Sequence, residues 1–203
     1  MLTFIHAPQT RSWRIAAVID EIGIADNVVV RVVDLIRLDG SGRSDPANPH
    51  PEGKVPALIH DGTTITESGA IMLYLTALFP ESGLAPMPGT AKRGEYLTWQ
   101  FWYGSVMEPV LMLDAWGLQH PGIARNFRGA AEIAARLRAA LEKGPDLLGA
   151  DHSAADLLCH SPHAWLPKQL PEDALIRDWV ARCQARPAVA RVQAADAAML
   201  QAA

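Results

Sequence analysis

Apolar positions in the first third of the chain change between the spacing of strands and that of helices. Leu2–Ile5 is a short apolar run typical of a strand. The next apolar residues recur at helical spacing up to Ile22, and Gly23 is placed to end that helix. The β-branched run Asn27–Val33 is typical of a buried strand. Segment 39–53 is rich in Gly, Ser, Asp and Pro, which predicts a loop that could hold a short helix.

Two more strands are predicted at Val55–His60 and Thr63–Ile65. Asp61-Gly62 between them is a strong signal for a two-residue hairpin, and a helix over Ser68–Leu78 follows. A helix connects the first two strands, so they run parallel, whereas the tight turn makes the last two antiparallel. We therefore predict an α/β domain over residues 1–79, with a mixed four-stranded sheet covered by helices.

A dense group of Pro and Gly residues at 80–89 predicts a linker. Beyond it the strand spacing disappears, and residues 90–203 are predicted to form an all-helical domain. The first expected helix covers 90–118, with a bend at Glu108-Pro109, and a second ends at Lys143. A third is capped by Ser153 together with Asp156. The last two cover Ala174–Ala185 and the residues from Pro187 onward.

Composition and charge narrow the class of protein. Of 203 residues, 49% are apolar and 20% are charged, which is the balance of a globular protein with a buried core. The net charge of −4 gives no electrostatic reason to expect nucleic acid or an anionic membrane as a partner. The N-terminus lacks the basic leader of a signal peptide, and no run approaches the length of a membrane span. We therefore expect a soluble, cytoplasmic protein.

The two cysteines, Cys159 and Cys183, are too few for a disulfide framework and lack CxxC spacing. His160 and His163 stand three residues apart beside Cys159, a spacing that could hold a metal ion. Structural histidines are commoner, and Pro162 interrupts the local helix. We therefore expect buried free thiols and no metal.

Two local signatures carry the chemistry of the first domain. In Gly53–Leu58 a loop leads into the third strand at Val55-Pro56, and proline belongs at the start or edge of a strand because it cannot donate to the ladder. About ten residues later, Glu67-Ser68 place a carboxylate and a hydroxyl at a helix N-terminus, where free amides favour an anion. Glu67-Ser68 could equally be an ordinary helix cap.

Together with the Ser153–Asp156 cap, these signatures resemble the glutathione S-transferase family over essentially the whole chain. The sequence of Asn48–Pro56 is similar to that of bacterial members close to the theta and beta types. The resemblance implies a thioredoxin-like domain in which Pro56 follows a cis peptide bond, then the helical domain. It also implies glutathione as co-substrate and a homodimer.

The resemblance implies a set of contacts to glutathione. Glu67 would pair with the γ-glutamyl amine and Ser68 with the γ-glutamyl carboxylate. The backbone of Val55 would pair with the cysteinyl unit, since an extended peptide can add to an exposed strand edge. Lys54, and less directly His50, would meet the glycine carboxylate.

The resemblance implies that the catalytic residue lies in the loop before the first helix. Members of this family hold the glutathione sulfur as thiolate, and no tyrosine precedes Tyr74 to do so. Aligning the start of the helix puts Thr10 where theta-like members carry a catalytic serine, with Ser12 as the fallback. Arg11 stands where beta-type members carry cysteine and is expected to lie near glutathione. Thr10 could instead be only a helix cap, which would leave Ser12 or Arg11 at the sulfur.

The resemblance also implies an electrophile pocket along the helix after the linker, which is rich in aromatic residues and methionines. Tyr103, Met107 and Glu108 are the candidate residues. The leading hypothesis is conjugation of glutathione to small hydrophobic electrophiles, a detoxification reaction. A second is a glutathione-binding or protein-interaction member with weak turnover. A third, thiol–disulfide or peroxide reduction, is disfavoured because the loop has no cysteine.

Overall fold

A mixed sheet of the order β2-β1-β3-β4 is the centre of the first half of the molecule. Its strands are β1 (Leu2–His6), β2 (Val28–Val32), β3 (Ala57–His60) and β4 (Thr63–Thr66). β1 runs parallel to β2 and antiparallel to β3, which is antiparallel to β4. Asp61 and Gly62 both have positive φ, 46° and 82°, as a type I′ hairpin turn requires. The predicted sheet is confirmed.

The computed structural model describes residues 1–37 and 39–201 of the chain. It divides into two compact units, Met1–Ser82 with the last helix, and Gly83–Arg186. Residues 202 and 203, the end of the predicted helical domain, lie outside the described residues. Within the described ranges, the helices are too short or too polar to cross a bilayer.

Three helices pack around the sheet of the first unit: α1 (Trp13–Ile22), α2 (Ser68–Leu78) and α9 (Pro187–Gln201). The α1 helix ends at Gly23, whose φ of 81° gives the left-handed cap expected from the sequence. The core is filled by fully buried apolar side chains from β1, β3, α1 and α2, namely Phe4, Ile5, Ile15, Val18, Leu58, Ile71, Met72 and Leu75.

The last helix, α9, was predicted to belong to the helical domain, but the structure groups it with the sheet. Its contacts with α1 explain this placement. Val189 on α9 is fully buried, and Arg191 forms an ion pair with Asp20 of α1. A helix at the end of the chain therefore helps to hold the first helix in place.

The prediction that β2 is a buried strand is wrong for most of its length. Val28 is buried, whereas the residues from Val29 to Val32 are exposed. Two features explain this exposure. β2 lies at an edge of the sheet, and the described residues from Val33 to Pro56 form turns, bends and irregular chain rather than a covering helix. The β-branched run specifies a strand but not its position in a sheet.

The second unit is helical. Its helices are α3 (Ala91–Trp102), α4 (Glu108–Ala115), α5 (Pro121–Asn126), α6 (Ala130–Leu141), α7 (Ala154–His160) and α8 (Ala174–Gln184). The predicted long helix is divided into α3 and α4 by a π turn at Tyr103–Met107. Pro109 in the first turn of α4 supplies the physical reason, because it has no N–H for the preceding turn. The helix predicted up to Lys143 is divided into α5 and α6 where Gly129 takes a φ of 91°.

A buried carboxylate organises the second unit. Asp156 Oδ1 accepts hydrogen bonds from Leu147 N at 2.8 Å and Trp179 Nε1 at 3.0 Å. Its Oδ2 accepts from the backbone N and the hydroxyl of Ser153, both at 3.0 Å. These bonds include the predicted capping box of α7, which is confirmed. Burial is the main influence on the carboxyl and raises its pKa.

Asp156→Ala should lower the free energy of unfolding by about 3 kcal/mol or more, because it leaves several buried donors without an acceptor. Urea denaturation measures this. Asp151→Ala is the matched control, since Asp151 is exposed and pairs only at the surface with Lys92; a change below about 1 kcal/mol is expected. If Asp156→Ala does not fold, Ser153→Ala should still lose about 1 kcal/mol. Equal effects of Asp151→Ala and Ser153→Ala would contradict this account.

His163 makes the stability of the second unit depend on pH. Its side chain is buried, neither ring nitrogen has a hydrogen-bond partner among the described residues, and burial lowers its pKa to about 4. Between pH 6.5 and 4 the unfolded chain therefore binds a proton that the folded protein does not, so stability must fall as the pH falls. The contribution of His163 to this loss is about 3 kcal/mol at most.

We expect His163→Phe to reduce the loss of stability between pH 6.5 and 4, because the phenyl ring of the variant cannot take up a proton. Chemical denaturation at several pH values compares the two proteins directly. The same loss in both would show that His163 is not responsible.

Candidate functional site

The loop between β1 and α1 is held by its own hydroxyl groups. Thr10 Oγ1 donates to the carbonyl of Ala7 at 2.7 Å and accepts from the backbone N–H of Ser12 at 3.3 Å. Ser12 precedes the first turn of α1, but its side chain does not cap the helix. The two hydroxyl oxygens, of Thr10 and Ser12, are 2.8 Å apart.

The two hydroxyls differ in their access to solvent. Ser12 is fully buried, and its Oγ lies 2.8 Å from His6 Nδ1 and accepts from Ala7 N at 3.2 Å. Thr10 is half-buried, as is Arg11 beside it. Of the two hydroxyl candidates in this loop, Thr10 is therefore the one with an accessible surface.

A carboxylate from the other end of the chain fixes the same loop. Asp196 of α9 is 4% exposed, and its Oδ1 lies 2.9 Å from Nε2 of the buried His6. Its Oδ2 accepts from the backbone N–H of Gln9 at 2.8 Å, where the backbone has a φ of 56°. Sequence reasoning missed both His6 and Asp196. An acidic residue on the face that also carries Val189 and Val192 was the signal that could have found Asp196.

The Val55-Pro56 peptide is cis, in agreement with the resemblance. Val55 is partly buried against the core cluster of Ile5, Val33 and Ala57. β3 begins directly after Pro56, so the backbone of Val55 lies at the start of a central strand.

Glu67 and Ser68 lie at the N-terminus of α2. Glu67 occupies the cap position with φ 66° and ψ 122°, but its side chain makes no cap hydrogen bond. A positive φ in a residue other than glycine is uncommon and is concentrated at functional sites. Ser68 is buried, and its Oγ accepts from Nε of the buried Arg14 at 3.0 Å. Sequence reasoning missed Arg14, which brings a guanidinium to this helix end.

The residues predicted for the glycine carboxylate already have partners. Lys54 Nζ forms an ion pair with Glu52, and that hydrogen bond is the main influence that raises the pKa of Lys54. The charge of Glu67 raises the pKa of the same ammonium more weakly, and the charge of Arg11 lowers it. The ring of His50 is buried, and its Nδ1 accepts from Glu52 N at 3.1 Å.

In the second unit, Tyr103 and Met107 are buried in the π turn and Glu108 is half-buried at the start of α4. A cavity of about 520 Å³ is formed farther along, by residues of α4, α5 and α6 and the segments between them. Among the described residues that line it are Val110, Leu113, Asp114, Ile123, Phe127 and Arg128, but not Tyr103, Met107 or Glu108.

The described residues bring together one group that could approach a metal ion, Asp146, His152 and Cys183, whose ligand atoms lie within 4.8 Å of one another. His152 Nδ1 already lies 3.2 Å from Asp146 Oδ1. Burial, reinforced by neighbouring carboxylates, raises the pKa of the Cys183 thiol. A cysteine binds metal as thiolate, so a metal ion at this group would have to displace the thiol proton. Cys159 and Cys183 are both buried free thiols.

Comparison with known proteins agrees with these features. Residues 6–83 match the family model described as glutathione S-transferase, N-terminal domain. Protein LigF of a Sphingobium species is 48% identical over 54 residues, a match that covers 26% of this chain and 21% of LigF. The chain thus spans about one fifth of that relative.

Solved structures match over nearly the whole chain. A glutathione transferase from Methylococcus capsulatus is 28% identical with a TM-score of 0.76, covering 97% of this chain and 99% of that one. A sphingomonad glutathione S-transferase complexed with glutathione is 27% identical with a TM-score of 0.73, covering 96% of this chain and 98% of that one.

Proposed function

The chain belongs to the glutathione S-transferase family and resembles its bacterial members, and we propose that it conjugates the thiolate of glutathione to small hydrophobic electrophiles. The observation that carries the proposal is the convergence of three features in one unit. These are the cis Val55-Pro56 peptide before β3, the Glu67-Ser68 pair at the start of α2, and the hydroxyl loop before α1.

The γ-glutamyl end of glutathione would lie at the N-terminus of α2. The carboxylate of Glu67 is complementary to the amine, and Ser68 with the free amides of the first turn is complementary to the carboxylate. Arg14, which donates to Ser68, adds a positive charge beneath this position. The strained backbone of Glu67 is consistent with a residue held for binding rather than for stability.

The remaining parts of glutathione would extend from this point. Val55 would pair its backbone with the cysteinyl unit, as in the addition of a strand to a sheet. The glycine carboxylate would approach Lys54 and His50. Because Lys54 is paired with Glu52, binding there requires the ammonium to share or exchange its partner.

We assign the sulfur to Thr10. A free thiol has a pKa near 8.5, so a donor and a positive environment are needed to keep it ionised at neutral pH. Thr10 is half-buried, and its hydroxyl lies close to the N-terminus of α1, whose dipole favours an anion. The buried hydroxyl of Ser12 is the weaker candidate, and Arg11 adds charge beside the loop.

The electrophile is proposed to contact Tyr103, Met107 and Glu108 of the second unit, and the protein is proposed to act as a homodimer in the cytoplasm. The second unit also contains the cavity lined by Val110 and Phe127. Conjugation rates for a panel of electrophiles of different sizes test how much the second unit contributes to electrophile binding.

Thr10→Ala should raise the pKa of bound glutathione and lower turnover, with little change in glutathione affinity. Removing the hydroxyl removes a hydrogen bond to the thiolate but none of the contacts at the γ-glutamyl end. Ultraviolet titration of the bound thiolate measures the pKa, and Thr10→Ser is the control that keeps the hydroxyl. An unchanged thiol pKa in Thr10→Ala would remove Thr10 from this role.

Glu67→Ala should weaken glutathione binding by about tenfold to a hundredfold, because a charge-assisted hydrogen bond contributes about 1.5–3 kcal/mol. Isothermal calorimetry measures the affinity. Glu81→Ala is the matched control, since Glu81 is an exposed carboxylate beyond the end of α2. If the affinity of Glu67→Ala equals that of Glu81→Ala, the binding site is assigned wrongly.

One observation favours a second function, a glutathione-binding protein with weak turnover. Thr10 stands in place of the usual serine, and its hydroxyl donates inward to Ala7. Retention on immobilised glutathione without conjugation across a broad electrophile panel would select this alternative. Failure to be retained would exclude both functions.

A further inference from the structure

A continuous chain of hydrogen-bonding groups leads from Thr10 into the protein. Its hydroxyl is 2.8 Å from that of Ser12, which is 2.8 Å from His6 Nδ1, and His6 Nε2 is 2.9 Å from Asp196. Ser12, His6 and Asp196 are all buried, with exposures of 0%, 2% and 4%. Thr10 is the member of this chain that has an accessible surface.

The carboxylate determines where the proton of the imidazole lies. Ionised Asp196 can only accept hydrogen bonds, so His6 must carry its proton on Nε2 and leave a lone pair on Nδ1. Ser12 is the group that can donate to that lone pair at 2.8 Å. The carbonyl of Ala7, 3.0 Å from Ser12 Oγ, is a second acceptor for the same proton. Donation to His6 is over the shorter distance and satisfies the buried lone pair of Nδ1, so the proton of Ser12 is directed toward His6 when the imidazole is neutral.

This arrangement directs the proton of Thr10 inward. With the proton of Ser12 committed to His6, the contact between the two hydroxyls is a hydrogen bond only if Thr10 donates. The alternative acceptor for Thr10 is the carbonyl of Ala7, at 2.7 Å. In both cases the hydroxyl of Thr10 presents its oxygen, and not its proton, to a ligand.

Protonation of His6 at Nδ1 reverses the two bonds on the ligand side of the ring, from His6 to Ser12 and from Ser12 to Thr10, while Nε2 continues to donate to Asp196. The imidazolium donates from Nδ1 to Ser12, and Ser12 can then donate to Thr10. The hydroxyl of Thr10 is left to donate outward. An imidazolium beside a carboxylate is a familiar arrangement in triads of serine, histidine and aspartate, where the carboxylate orients the ring and stabilises its charge.

We propose that His6 accepts the proton of the bound thiol through the hydroxyls of Thr10 and Ser12, and that Asp196 stabilises the resulting imidazolium. The S–H bond breaks as its proton passes to Thr10, the proton of Thr10 passes to Ser12, and the proton of Ser12 passes to Nδ1 of His6. The products are a thiolate that accepts from Thr10 and an ion pair of His6 with Asp196. The proposal rests on the proposed function.

In this scheme His6 and Asp196 are positioning residues, since neither touches the sulfur. Among the described residues, the groups that face the imidazole are the carboxylate of Asp196 from α9, the hydroxyl of Ser12 from the loop, and the ring of Phe4 from β1, whose centroid is 5.4 Å away. Asp196 also holds Gln9 N, so the same carboxylate that stabilises the ion pair fixes the backbone next to Thr10.

The test compares variants that alter the chain of hydrogen bonds with one that loosens only the packing of α9. His6→Gln keeps a polar side chain that cannot take a proton, and Asp196→Asn removes the charge that stabilises the imidazolium. Arg191→Ala is the matched control, because it breaks the ion pair between α9 and Asp20 of α1 without touching the chain. Circular dichroism and thermal melting verify that each variant is folded.

At pH 6.5, His6→Gln and Asp196→Asn should lower kcat about tenfold or more and raise the pKa of bound glutathione by about one unit or more toward the value of a free thiol. The dissociation constant of glutathione should change less than about twofold, because Glu67 and Ser68 are intact. Raising the pH above about 9 should restore kcat toward the wild-type value, since the thiol then ionises unaided. Arg191→Ala should resemble the wild type throughout.

A wild-type thiol pKa in His6→Gln would overturn the proposal, as would a loss of kcat that alkaline pH does not restore. The outcomes also separate this inference from the function on which it rests. If Thr10→Ala raises the thiol pKa and the His6 and Asp196 variants do not, the proton chain is wrong and the transferase site stands. If glutathione does not bind the wild type, the proposed function itself fails.

Discussion

The carboxylate of Asp196 fixes the loop on which the candidate site depends. One of its oxygens lies 2.9 Å from His6 at the end of β1 and the other accepts from the backbone of Gln9. The loop that contains Thr10 is thereby joined to α9, which itself packs on α1. Burial of a carboxylate without hydrogen-bond donors would destabilise the fold. Packing of α9 against α1 therefore requires these contacts to Asp196.

The other parts of the site follow from the sheet. β3 begins after the cis Val55-Pro56 peptide, and the hairpin at Asp61-Gly62 returns the chain so that α2 starts at Ser68. Arg14 of α1 donates to Ser68, which connects the first helix to the N-terminus of the second. The groups proposed to bind the two ends of one small peptide are therefore held by a single packed unit.

Local signals made much of this predictable from the sequence. Asp61-Gly62, Val55-Pro56 and Glu67-Ser68 each act within a few residues, and the structure contains the turn, the cis bond and the helix start that they indicate. The contact between His6 and Asp196 joins residues 190 positions apart, and no local pattern relates them. The exposure of β2 was missed for a similar reason, because the position of a strand in a sheet depends on what covers it.

The central claim is that the first unit binds glutathione with its sulfur at Thr10. A crystal structure of the protein with glutathione bound tests this claim most directly. The account predicts the sulfur within hydrogen-bonding distance of Thr10 Oγ1 and the γ-glutamyl group between Glu67 and Ser68. A sulfur placed against Arg11 and away from the hydroxyl of Thr10, or a γ-glutamyl group far from α2, would contradict it.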